Sequence, residues 1–153
     1  MQLTLDVSSG QVKINELIVD KGFRDELLKD VQYQPYNIRI GETKPPVAEY
    51  IVTPVALFNW NFTIILRFEN GVIVNVTLLW MDSDLASRDN WEEIVKADLV
   101  GDFKKLFKFI SSYLPDKPTK VSNNNAQWKY PWGSVSVWSE DRSFTEGILI
   151  SWT

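Results

Sequence analysis

The sequence predicts an α+β fold: a mostly antiparallel sheet built from hairpins, with helices packed on one face. Three observations lead there. Apolar and polar residues alternate in several stretches separated by turn signals. Later stretches change to the three-to-four-residue spacing of amphipathic helices. The helical stretches are grouped between runs of strands, a pattern that disfavours strict β–α–β alternation. The chain has 153 residues, 44% of them apolar and 24% charged. It fits a single domain over 1–153, because a chain of this size buries roughly 70% of the surface its unfolded form exposes.

The elements follow in order. Leu3, Leu5 and Val7 alternate, Ser9-Gly10 signals a turn, and Val12 and Ile14 resume the pattern. A two-residue loop there sets Val7 opposite Val12 and Leu5 opposite Ile14, with the second strand running on through Leu17, Ile18 and Val19. Asp20 then caps a short helix with Phe23, Leu27 and Val31 on one stripe. Pro35, Gly41, Pro45, Pro46 and Pro54 punctuate residues 32–58, leaving short or edge strands at Tyr36–Ile40 and Ala48–Val52.

The central hairpin is the clearest element. Phe62, Ile64, Leu66 and Phe68 alternate with Asn61, Thr63, Ile65 and Arg67, and Val72, Val74, Val76, Leu78 and Trp80 follow Asn70-Gly71. A three-residue loop, Glu69-Asn70-Gly71, keeps both apolar sets on one face, with Gly71 at positive φ in a bulge. Asp89-Asn90-Trp91-Glu92 reads as a capping box, with Trp91, Ile94 and Val95 on one face. Leu99-Val100-Gly101 is expected to break this helix, with Asp102 capping the next. There Phe103, Leu106, Phe107, Ile110 and Leu114 face inward, Lys104, Lys105 and Lys108 face outward, and Pro115 ends the run. Residues 115–127 read as a loop. Gly133–Ser139 and Ile148–Trp152 close the chain as strands around Glu140–Glu146.

The functional signal begins with an absence. The chain has no histidine and no cysteine but seven tryptophans. That removes the commonest general base, the commonest zinc ligand, the thiolate nucleophile and every disulfide. No cofactor motif is present, neither a glycine-rich dinucleotide loop nor a P-loop nor a nucleophile elbow. Asp82, Asp84 and Glu93 fall at positions one, three and twelve of a calcium loop. Ala86 replaces the third ligand and Ser87 the required glycine, so no metal is expected. The net charge of −4 disfavours nucleic acid as partner. With no membrane-length apolar run and no signal peptide, the expectation is a cytoplasmic protein.

What remains is carboxylates and aromatics. Asp82, Asp84, Asp141 and Glu146 are loop carboxylates that a glycoside hydrolase would need in a facing pair, and no spacing in the sequence pairs them. Trp128, Tyr130, Trp132 and Trp138 are more unusual. The first three alternate, which puts them on one face of an extended segment. Exposed, they form a platform for a sugar or a hot spot for a protein; buried, they are core.

The residues Phe68-Glu69-Asn70-Gly71, the acidic Trp-containing helix start and Tyr130-Pro131-Trp132-Gly133-Ser134-Val135 resemble features of small cytosolic bacterial proteins of the toxin-immunity type. So do Asp141-Arg142-Ser143 and Ile148-Leu149-Ile150. In that group a Trp-Gly strand and an Asp-x-Arg/Lys-Ser loop precede a final apolar strand. This chain departs from it in a longer second helix and an expanded 115–127 linker. The group has no catalytic motif to carry over, so the resemblance implies a non-enzymatic binder. The expected function is therefore protein binding, as an immunity protein covering a basic toxin surface with Asp82, Asp84, Trp128, Tyr130, Trp132 and Asp141. The alternative is a carbohydrate- or small-ligand-binding module using Trp128, Tyr130 and Trp132, and a carboxylate-dependent hydrolase ranks third.

Overall fold

Two antiparallel sheets and one helix share a single apolar core. The computed structural model describes residues 1–29, 36–83, 96–143 and 145–153. The first sheet comprises β1 (Leu3–Asp6), β2 (Gln11–Ile14) and β3 (Leu17–Val19). Its first turn is Val7–Gly10 rather than two residues, closed by the Gly10 N–H donating to the Asp6 carbonyl at 2.7 Å. The Asp6 carboxylate organises it by accepting from the Ser8 N–H at 2.9 Å and the Ser9 hydroxyl at 2.8 Å. The pairing becomes Leu5–Val12 and Leu3–Ile14, a shift of two residues that leaves the same side chains on the buried face. The second strand does not run on to Val19. Asn15 takes φ 49° and turns the chain back, making Leu17–Val19 a third antiparallel strand.

A 3-10 turn, Asp25–Lys29, stands where the short helix was expected. Its three-residue period cannot align residues four apart, so Phe23 is buried while Leu27 stays exposed. Val31 lies outside the described residues.

The larger sheet contains β4 (Arg39–Lys44), β5 (Val47–Leu57), β6 (Trp60–Glu69), β7 (Val72–Trp80), β8 (Lys120–Val121), β9 (Asn125–Tyr130), β10 (Gly133–Glu140) and β11 (Thr145–Trp152). The spatial order β4-β5-β6-β7-β11-β10-β9-β8 describes two four-stranded meanders joined through β7 and β11. The proline-punctuated region thus forms a real hairpin turning at Pro45-Pro46, and the expected loop 115–127 contains β8 and the start of β9.

The central turn corrects the three-residue expectation. Asn70 and Gly71 have φ 53° and 78°, and Glu69 pairs with Val72, which is a two-residue loop. Phe68 then faces Ile73, Arg67 faces Asn75, and Val74 is the extra residue of a bulge. The bulge restores the facing pattern from inside β7, so Ile73, Val76 and Leu78 are the buried set.

Among the described residues α1 (Lys96–Tyr113) is the one α-helix, so the covering layer is one helix plus the small sheet. The expected break at Gly101 does not occur; the helix runs through it, and Asp102 is a buried interior residue instead of a cap. The capping box at 89–92, with Trp91, Ile94 and Val95, lies outside the described residues. The inward stripe is Leu99, Phe103, Leu106, Ile110 and Leu114, with Phe107 half-buried and Lys104, Lys105 and Lys108 facing solvent. Tyr113 ties the helix to the small sheet: its hydroxyl accepts from the Leu5 N–H and donates to the Leu5 carbonyl, both at 3.1 Å. Leu3, Leu57, Leu78, Ile110 and Ile148 meet beneath that contact, each contributing ~1.5–3 kcal/mol by leaving water.

Candidate functional site

The six residues expected to form one surface are dispersed. Trp128 is buried on β9, its ring centroid 5.9 Å from that of Phe107 and its indole N–H donating to the Asp116 carbonyl at 3.0 Å. It is core. Tyr130 and Trp132 stack in parallel at 5.3 Å, but they clasp the first hairpin turn. The Trp132 indole donates to the Val7 carbonyl at 2.7 Å, and Trp152 donates to the Gly10 carbonyl at 2.9 Å. The alternation of 128, 130 and 132 was legible, but in β9 the face carrying Trp128 turns inward because Val135, its partner in β10, is itself core.

Asp141 is exposed in the β10–β11 turn, at the opposite end of β10 from Trp132. Eight residues of strand separate the two, about 25 Å at roughly 3.3 Å per residue. Asp82 follows β7 at the same sheet end as Asp141 and accepts from the Asn61 N–H at 2.7 Å. Asp84 lies outside the described residues.

Asp82 borders an aromatic cleft that sequence reasoning missed. Trp60 and Trp80, from β6 and β7, stack at 4.7 Å, and Phe109 of α1 stacks on Trp60 at 4.2 Å. With Lys105 and Lys108 they line a hollow of about 330 Å³. Phe58 stands above it in the β5–β6 turn, 62% exposed, at φ 54°, with edge contacts to Phe109 and Tyr113. An aromatic at positive φ in a tight turn has no sequence signature, since Asn and Gly are the usual occupants.

Behind the cleft sits a buried acid pair. Glu146, expected in a loop, is a β11 residue facing inward beneath α1 and is 2% exposed. Burial first, and then the negative charge of Asp102, push its carboxyl up to about 7. The Ser83 hydroxyl donates to Asp102 Oδ2 and also lies within hydrogen-bonding reach of Glu146. A hydroxyl carries one proton, so it can donate to only one of the two acids. With that proton on Asp102, burial dominates at Glu146 and favours its neutral form. Lys105 Nζ, 3.8 Å from Asp102 Oδ1, balances the remaining charge.

This is a buried acid pair rather than an open pair of carboxylates flanking a substrate. No group of three or more His, Cys, Asp or Glu among the described residues is placed to hold a metal ion. No helix among them is long and apolar enough to cross a membrane.

No family model, curated protein or solved structure matches the chain.

Proposed function

We propose that the chain is a non-catalytic binding protein whose partner is another protein, docked over the sheet end where Phe58 projects. Phe58 carries the reading. A bulky residue in the left-handed region costs about 1–2 kcal/mol, and its ring remains mostly in water. Among the described residues its ring pairs are edge contacts to Phe109 and Tyr113. A partner that buries the ring would supply what the fold does not, as aromatic anchors do at interface centres. Trp60 and Trp80 widen the apolar patch, while Asp82, Lys105 and Lys108 provide a rim of both signs.

Within this reading the partner class is the one the toxin-immunity resemblance implies, a toxin domain with a basic active surface, met in the cytoplasm. The net charge of −4 would speed encounter, and steric coverage would inhibit. Of the residues first expected to bind, Asp82 stays in the proposed surface, whereas Trp128, Tyr130 and Trp132 leave it.

The test is affinity capture from native lysate with tagged wild type, Phe58→Gly and Trp60→Ala, each checked for folding by circular dichroism. One stoichiometric protein retained by wild type and lost with folded Phe58→Gly is the expected result. Equal capture by both variants, or no stoichiometric protein with wild type, would sink the proposal.

A further inference from the structure

The face of the large sheet turned away from α1 carries a second, chemically different hollow. Its floor is a cross-strand row fixed by register: Thr77 of β7 pairs with Leu149 of β11, Leu149 with Ser136 of β10, Ser136 with Gln127 of β9, and Gln127 with Lys120 of β8. The adjacent row runs through Gly147, Trp138 and Asn125. Apart from Gly147, these residues line a space of about 540 Å³.

Two features distinguish this hollow from an ordinary sheet surface. First, Trp138 packs over its cross-strand partner, which is a glycine. A Cβ on Gly147 would come within 2.9 Å of Trp138 Cζ2 and 3.1 Å of Cε2, so the missing side chain is what lets the indole settle onto the sheet. The ring packed over Gly147 is part of the lining of the hollow. Second, the polar groups around it have no internal employment. The side chains of Thr77, Ser136, Gln127 and Asn125 and the Trp138 indole make no hydrogen bond among the described residues, and Lys120 has no carboxylate partner among them. Ser136 is only 7% exposed. It lines the hollow, and its hydroxyl is open to that space and available to a ligand.

We propose that this hollow is a saccharide-binding site, with a pyranose ring stacked on Trp138. The class follows from the lining. An indole face suits the apolar C–H face of a sugar ring, while two carboxamides and two hydroxyls offer alternating donors and acceptors to ring hydroxyls. Lys120 adds one more donor at the rim. A purely apolar ligand would leave these groups unsatisfied, and a multiply charged anion would find a single cation. The site lies on the other face of the sheet from Phe58 and does not depend on the protein-binding reading.

The experiment is calorimetric titration of the full chain with cellotetraose, maltotetraose, N-acetylchitotetraose and mannotetraose, using wild type, Trp138→Ala and Gln127→Leu. Gln127→Leu serves as the second variant because its side chain makes no contact the fold requires. The expected result is saturable binding of at least one tetrasaccharide, weakened about tenfold or more in both variants. No binding of any of the four up to about 10 mM, weaker than a millimolar site would give, overturns the proposal. So does binding that survives both substitutions, because the sugar would then sit elsewhere.

Discussion

The carboxyl of Glu146 and the carboxyl of Asp102 face each other beneath α1 with the Ser83 hydroxyl between them. This contact joins the end of β7, the helix and the last strand. Glu146 Oε1 is buried and accepts no hydrogen bond, so deprotonation would leave a charge poorly served by its surroundings.

The sign of the pH effect follows. The folded protein holds the Glu146 proton more tightly than the unfolded chain, since burial raises the group from 4.5 to about 7. The stabilisation from that proton is complete below the unfolded value and is lost as pH rises through about 7. Thermal unfolding of wild type should show a loss on the order of 2–3 kcal/mol between pH 4.5 and 8 attributable to this group. Glu146→Gln keeps the neutral donor and should flatten that part of the profile, becoming the more stable form at pH 8. Parallel profiles for the two proteins would show that the fold does not hold the Glu146 proton more tightly than the unfolded chain does.

Much of the fold was legible because the sheet buries one face strongly. Phe62, Ile64, Leu66 and Phe68 announced β6, and the stripe from Phe103 to Leu114 announced α1. What failed were choices on which local chemistry is degenerate. Asn70-Gly71 suits a two-residue or a three-residue loop, and only the bulge at Val74, set by pairing along β6, decides between them. Trp128 and Trp138 look alike in sequence; one is core and the other an outer-face ring because the register with β10 and β11 places them on opposite sides. Of the candidate sites, Asp82 was readable as an acidic turn. Phe58 was not, because its exposure comes from a strained turn that contradicts its residue type.

Gly101 supplies an independent check on the helix. The sequence suggested a break there, yet α1 is continuous and a Cβ added at Gly101 would meet nothing within 4 Å. Alanine should therefore stabilise the protein by about 0.5–1 kcal/mol, through a better helix propensity and a less flexible unfolded chain. Chemical denaturation with an unchanged m-value would measure it. A destabilised Gly101→Ala would mean the helix bends or opens at this point in solution.

Gly10 should behave in the opposite way, and the reason separates backbone strain from packing. Gly10 sits at φ 75°, and an added Cβ would fall inside the Trp132 ring. Gly22 has φ 93° with nothing within 4 Å of the same added atom. Alanine at Gly22 should cost only the left-handed penalty of about 1 kcal/mol. Alanine at Gly10 carries that penalty and must also displace Trp132, losing the indole bond to Val7 and loosening the stack on Tyr130. A total cost of about 2–4 kcal/mol is expected. If the excess arises from the ring, then in a Trp132→Ala background Gly10→Ala should fall back to roughly the Gly22→Ala value. A Gly10 cost unchanged in that background would instead assign the penalty to the turn itself and remove Trp132 from its role as the clasp between the two sheets.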